Sequence, residues 1–347
     1  MKMKHTAYSL ISLGLCLASS TVALAGTYTP PEQPCSLLCS APMKTGFYVG
    51  VTGLYLEPGE TGIGEFTDSW QYHDPATGVT TSKSKPFDPD LSWSIGAKLG
   101  YNFGESANDL EFDYLYFHSN THAVNDSSGD PQSFGSVFFN VNLPNPASID
   151  LVSDANLVYN FNQYDLWFGH TYSQSPNGFM FKPSIGLRFA NMSHELHFTA
   201  GNVKSDFEGV GPEIGFDVRQ GLWSSGFGLV GHFDGAVLAS SVDASSKLAF
   251  GTLNGKFKSP DQDRTTSALT GKIGLDYRYT FSNASVLALE GGYEAIRYAG
   301  VFDMIQADAV VVDQVPGGAP VVTQQIGTIN TDNFSLMGPY LSLTYYI

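Results

Sequence analysis

The last eight residues of the chain, 340–347, place an apolar side chain at every second position. A strand has a period of two, so Ser342 and Thr344 share one face and the apolar residues share the other. The apolar face carries Leu341, Leu343, Tyr345 and Ile347. A wall between lipid and a polar lumen requires this alternation, although a half-buried strand of a soluble protein also has it. We therefore expect the closing strand of a transmembrane β-barrel, provided that the rest of the chain agrees.

The same period recurs along the chain from residue 47 to the end. It is clearest over 91–103, where seven apolar positions alternate with six polar or small ones. The pattern shifts phase near Gln163, as a β-bulge would cause. We predict an all-β, antiparallel, up-and-down barrel of about ten strands. The predicted strands are 47–57, 91–103, 110–116, 155–168, 179–190, 210–218, 227–239, 269–281, 286–298 and 334–347.

The predicted connections alternate between long and short. The long ones are near 58–90, 120–152, 193–206, 240–266 and 300–333, and the short ones are 104–108, 173–178, 220–226 and 282–285. Outer-membrane barrels have long outer loops and short periplasmic turns. We therefore expect both termini in the periplasm. Residues 134–143 are either a further strand or a loop folded into the lumen, so twelve strands is the alternative.

The N-terminus has the pattern of a secretory signal. Lys2 and Lys4 precede the mostly apolar stretch 7–18, and Ala23-Leu24-Ala25 is a small-x-small cleavage site. We predict a cleaved signal peptide at 1–25, a periplasmic segment with prolines and cysteines at 26–46, and the barrel at 47–347. No run of about 20 apolar residues follows the signal, so we do not expect membrane-spanning helices.

Net charge excludes one class of partner. The chain carries 17 basic and 33 acidic residues, which gives −16 in full and −18 without Lys2 and Lys4. Binding of nucleic acid needs clustered Lys and Arg, so we do not expect it. The sequence indicates no cofactor. The expected surroundings are outer-membrane lipid and lipopolysaccharide.

Charged residues fall on the polar phase of the predicted strands. Both signs therefore face one interior, where they can line a wet pore or pair and close it. Ten strands lie between eight, which side chains fill, and sixteen, which leave a channel. The pore-lining candidates are Lys98, Glu111, Asp113, Lys182, Arg188, Glu213, Asp217, Arg219, Lys272, Asp276 and Arg278.

Histidines do not form a recognisable enzymatic motif. His194 and His197 are three residues apart, whereas the zinc-protease motif needs two His four apart on one helical face. On a strand, positions three apart face opposite ways, so we predict no metal site. A barrel protease that uses loop acids and His118, His122, His170, His194 or His232 is a weaker alternative, and we assign no catalytic residue.

Short strand fragments along the mature chain resemble the Legionella major outer membrane protein family. They are 54–56, 93–96, 99–101, 114–118, 183–188, 209–212 and 291–294. The resemblance implies a surface-exposed, porin-like barrel that lets ions and small hydrophilic solutes diffuse passively, and disulfide-linked homo-oligomers. The other reading is a closed structural or adhesive barrel whose loops contact envelope or host components. Ile347 departs from the aromatic residue usual at the end of such barrels.

Two cysteines remain after cleavage, Cys35 and Cys39, in a segment flanked by prolines. An exported protein meets an oxidising compartment, which favours a disulfide over metal binding. The two residues can pair with each other or link subunits.

We expect Cys35 and Cys39 to be oxidised, and the family resemblance favours at least one bond between subunits. Non-reducing gels of the Cys35→Ser, Cys39→Ser double variant test this. Loss of the oligomer bands supports a covalent link through this segment, and unchanged bands rule it out.

Overall fold

A computed structural model gives the fold of the chain. It describes residues 39–40, 44–60, 67–73, 80–86, 89–124, 139–142, 154–173, 178–198, 201–222, 226–250, 253–305, 307–313, 321–325 and 329–347. The predicted signal peptide and Cys35 lie outside these residues. No helix in this part of the chain is long and apolar enough to cross a membrane.

Eighteen strands and a 3₁₀ turn at Gly104–Ser106 make up the described secondary structure. The strands are β1 (Cys39–Ser40), β2 (Gly46–Glu60), β3 (Thr67–His73), β4 (Thr80–Pro86), β5 (Ser92–Asn102), β6 (Asn108–Val124), β7 (Phe139–Asn142), β8 (Asp154–His170), β9 (Tyr172–Ser173), β10 (Phe179–Phe198), β11 (Gly201–Gly221), β12 (Phe227–Phe250), β13 (Leu253–Lys258), β14 (Gln262–Thr280), β15 (Val286–Ile305), β16 (Ala307–Asp313), β17 (Val321–Gln325) and β18 (Ile329–Tyr346).

Ten of these strands close into an antiparallel barrel. Around the ring the order is β2, β5, β6, β8, β10, β11, β12, β14, β15 and β18, and β18 pairs with β2. The closed ladder satisfies the backbone groups that lipid cannot. These are the ten strands that the alternation predicts, so the predicted fold is confirmed.

Residues 139–142, within the segment 134–143, form β7, which pairs with β16 in a separate sheet and not with the wall, so the twelve-strand alternative is not adopted. Three other sequence predictions about the connections and strand irregularities are wrong. The predicted long connection 240–266 is mostly strand, because β12 runs to Phe250, β13 covers Leu253–Lys258 and β14 begins at Gln262. The predicted long connection 193–206 is mostly strand, because β10 runs to Phe198 and β11 begins at Gly201. The predicted bulge near Gln163 is absent from β8, whose register with both neighbours is continuous.

The wall has a lower section, next to the short turns, whose outer face is apolar. Leu99 is 54% exposed and Ile273 is 60% exposed although both are large and apolar. On β10 the outward apolar side chains run from Phe181 to Phe189, nine residues. At about 3.3 Å per residue and the usual tilt they span about 23 Å, close to the apolar band of an outer-membrane barrel.

The upper section, next to the long connections, reverses this arrangement. Its outward side chains are polar, as in His118, Asn160, Ser193, Asp206 and Ser241, and its inward side chains are apolar. The strands keep their period of two, but the apolar set changes face between the two sections. This change of face, not a bulge, accounts for the apparent phase shift near Gln163.

The first and last of the described residues, Cys39 and Ile347, lie at the short-turn end of the barrel. Cys39 in β1 pairs with Ser173 in β9, which adjoins the start of β10. The Ile347 N–H donates a hydrogen bond to the Phe47 carbonyl (3.0 Å).

Replacing Leu99, Ile185 or Leu275 with Arg should destabilise the barrel by about 2 to 4 kcal/mol, because each faces outward at mid-strand in the lower section. Urea titration of barrels folded into lipid vesicles measures the loss. Ser184→Arg, on the lumen face next to Ile185, is the matched control and should cost less. Gly100 is unsuitable as a control, since a Cβ there would collide with the Tyr48 ring. Equal losses on both faces would contradict the assigned facing.

Candidate functional site

The lumen of the lower section holds all eleven charged residues that the sequence places inward. Nine of them line one cavity of about 240 Å³. Arg188 and Glu213 are buried beside it and pair with each other, and Arg188 also pairs with Asp234, which lines the cavity. Whether they line a path for solutes stays a prediction. The structure brings them together mainly as ion pairs.

Two lysines bind a group of carboxylates near the short-turn mouth. Lys98 Nζ lies 3.2 Å from Glu111 and 3.9 Å from Asp113. Lys182 Nζ lies 3.0 Å from Asp109, 3.8 Å from Glu111 and 3.5 Å from Asp217. These contacts connect β5, β6, β10 and β11 through their side chains, so the pairs cross-link the wall as well as neutralise it.

Tyr48 adds a neutral donor to this group. Its hydroxyl oxygen lies 2.8 Å from Asp109 and 2.6 Å from Glu111, two strands away on β6, so its single proton is shared between two carboxylates. The ring passes over Gly100 of β5, where any side chain would collide with it. Glycine at this position therefore permits the contact between β2 and β6.

Arg188 occupies the middle of the lumen and is 1% exposed. Its Nε lies 2.8 Å from Asp165 and 3.1 Å from Glu213, and a terminal nitrogen donates to Asp234 (2.8 Å). One guanidinium thus serves three carboxylates from three strands. Fork geometry suits Arg to such multiple bonding.

The remaining pairs lie on the opposite side of the lumen. Arg219 and Arg278 share Asp276, at 2.6 and 2.9 Å. Lys272 Nζ lies 3.1 Å from Glu294. All six Lys and Arg candidates are therefore within 4.0 Å of a carboxylate.

Sequence reasoning missed several members of this network. His232 joins Asp217 (2.8 Å) to Glu290 (2.9 Å), and the Tyr340 hydroxyl donates to Glu290 (2.6 Å). Asp234, Glu290 and Glu294 lie on the inward phase of correctly predicted strands, so the rule used for the other charges would have found them. Asp165 was hidden by the assumed bulge, and Asp109 precedes the predicted start of its strand.

The lining of the cavity is acidic overall. It includes nine Asp or Glu and five Lys or Arg. Residues at the short-turn ends of strands, such as Asn102, Thr171 and Tyr346, are among the lining, and Leu54, Leu115 and Tyr340 bound the cavity toward the upper section. The cavity is thus a chamber at the level of the apolar outer band.

An apolar core fills the lumen of the upper section above this chamber. Nine of the ten wall strands contribute buried side chains to it. The rings of Phe161 on β8 and Tyr298 on β15, strands on opposite sides of the ring, have centroids 5.7 Å apart. Phe302 lies 5.7 Å from Phe334. Among the described residues, aromatic rings therefore meet across the whole width of the lumen.

The apolar core and the charged network are bonded to each other. The Tyr298 hydroxyl donates to Gln163 (2.7 Å), whose amide donates to Asp165 (2.6 Å). Phe302 enters the core directly after a shift in register between β15 and β18. This shift lies between Tyr298 and Phe302 and is the one register shift among the wall strand pairs of the described residues. Gly300, with φ +68°, adopts the left-handed conformation there.

His194 and His197 face opposite sides of β10, as their spacing predicts. His194 is buried in the apolar core and stacks on Tyr159 with centroids 5.2 Å apart. His197 is outward and lies 3.2 Å from Glu195. Within the described part of the chain, no group of three His, Cys, Asp or Glu has the geometry of a metal site.

A comparison with protein families finds a match over the whole barrel. The family described as the Legionella pneumophila major outer membrane protein precursor matches residues 40–347. The chain belongs to this family. Its barrel is accordingly an outer-membrane barrel. The comparison with curated proteins gives no match.

Solved structures give more distant matches. The outer membrane protease OmpT from Escherichia coli is 11% identical, with 90% of this chain and 99% of that chain covered and a TM-score of 0.46. A deletion mutant of the monoaromatic hydrocarbon channel TodX is 10% identical, with 88% and 91% covered and a TM-score of 0.32. A Pseudomonas aeruginosa FadL homologue is 8% identical, with 86% and 90% covered and a TM-score of 0.27.

Arg188→Gln should destabilise the barrel by about 3 to 5 kcal/mol, because it leaves three carboxylates in the lumen without their cation. Arg278→Gln is the matched control: the Arg278 side chain is 34% exposed, and Asp276 keeps Arg219. Urea unfolding in vesicles measures both. A loss for Arg188→Gln no larger than that of the control would show that the central pairs do not hold the lumen together.

Proposed function

We propose that this family member is a closed barrel that holds its long connections at the surface of the outer membrane, where they contact envelope or host components. The observation that supports this is the apolar core across the upper lumen. Water does not reach side chains such as Leu56, Phe117 and Phe334, which are 0 to 1% exposed. A barrel packed in this way resists passage of solutes.

The paired charges below the core agree with closure. A wet pore needs charged groups that remain available to passing ions. Here Arg188, Arg219 and Lys182 are held by two to four polar partners each. These three side chains neutralise carboxylates of the lumen.

Porin-like diffusion of ions and small hydrophilic solutes is the second candidate. The chamber of about 240 Å³ favours it, because charged walls at the level of the lipid are what a vestibule requires. The excess of carboxylates would attract cations. Conduction would need a displacement of the apolar core, which stands between the chamber and the long connections.

Single-channel recording in planar bilayers separates the two functions. We expect no stable current steps from the natural chain. The Phe161→Ala, Phe334→Ala variant should conduct, because it removes two facing rings whose centroids are 6.0 Å apart. Folding of each protein is checked by its shift in mobility on unheated gels.

Phe112→Ala, Phe233→Ala removes two rings from the lipid face and is the matched control, which should stay silent. Stable current steps from the natural chain would reject closure and support the porin. Silence of a correctly folded core variant would show that the core is not the barrier.

A further inference from the structure

The outer face of the upper section is not uniform around the barrel. On β11 and β12 it carries charged residues such as Lys204, Asp206, Glu208 and Asp243, as expected for a surface in contact with water. On β6, β8 and β10, the two rows nearest the lipid band have no charged residue. Here they carry amides, hydroxyls and one imidazole.

Strand register fixes these rows. The uppermost row of the band is aromatic and consists of Tyr114, Tyr164 and Phe189. Tyr114 stacks on Tyr164 with ring centroids 4.9 Å apart, and Tyr164 lies 5.8 Å from Phe189. Aromatic rows of this kind mark the boundary between lipid and water. The next two rows are Tyr116, Asn162 and Asn191, then His118, Asn160 and Ser193.

We call the six residues of these two rows the polar patch, and hydrogen bonds connect the three of the upper row. The Asn160 amide donates to Ser193 (3.2 Å), and its oxygen lies 2.8 Å from His118 Nδ1. Asn162 accepts a hydrogen bond from Tyr114 of the aromatic row (3.0 Å). Asn191 and His118 remain exposed at its edges. The patch is thus pre-organised and continuous with the lipid-facing wall.

We propose that the polar patch binds the saccharide portion of outer-leaflet glycolipid. The hydroxyls of neutral sugars both donate and accept hydrogen bonds, as amides and hydroxyls of the patch do. Phosphate would instead call for Arg or Lys, and the patch has neither. The acyl chains of the same lipid would lie on the apolar wall directly below. The inference rests on the proposed orientation, with the long connections outside.

The test uses the full mature chain folded in detergent and follows its thermal unfolding midpoint. One probe is lipopolysaccharide with a complete core saccharide. The other is lipid A, which keeps the acyl chains and phosphates but lacks that saccharide. We expect the natural chain to be stabilised more by lipopolysaccharide. The Asn162→Ala, Asn191→Ala, Ser193→Ala variant should need at least tenfold more lipopolysaccharide for half of the shift, with its lipid A response unchanged.

Ser241→Ala, Ser245→Ala, Thr265→Ala removes three outward polar groups from β12 and β14 and should respond like the natural chain. The single variant Asn191→Ala, at an exposed position, should also need more lipopolysaccharide for half of the shift. It replaces the triple variant in the test if that variant folds poorly. Equal stabilisation by both probes, or patch variants that respond like the natural chain, would overturn the proposal. This experiment measures an unfolding midpoint and not a current. Conduction by the natural chain would therefore reject the closed barrel and leave the proposed role of the polar patch intact.

Discussion

A closed wall gives every side chain one of two faces, and a period of two assigns it to one of them. Each face must match what it touches. Where lipid surrounds the wall, the outward side chains are apolar and the charged side chains face inward. Where water surrounds the wall, the outward side chains are polar and the inward side chains can form a hydrophobic core. The lower and upper sections of this barrel are the two solutions, built from the same continuous strands.

A polar interior at the level of the lipid has to be neutralised. Ten strands enclose too little space for every charge to keep a full shell of water, and they enclose too much for small side chains to fill. The charges are therefore neutralised in pairs. Arg188 lies beside three carboxylates, and Asp276 lies beside two arginines. Such pairs need not add much to the free energy of folding, but removing one partner leaves charge without compensation.

The ten wall strands could be predicted because alternation is a local property that each segment carries by itself. The inward positions of Lys98 through Arg278 followed from the same rule. Contacts across the ring could not be predicted, since nothing in the sequence states that Phe161 faces Tyr298. The phase of β8 was misread because the rule assumed one outer medium along the strand, whereas the medium changes near Gln163. The connection at 193–206 was misread for a similar reason: its polar residues are the outward half of strands that continue into water.

Gly100 shows how little a closed wall tolerates at some positions. Its missing side chain lets a tyrosine from one neighbouring strand reach acids on the other, so three adjacent strands are tied at the mouth by a single phenol. That tie can form only after all three strands have taken their final register. A slip of one residue would turn the tyrosine toward the outer face of the wall, so this single contact also fixes the register of the three strands.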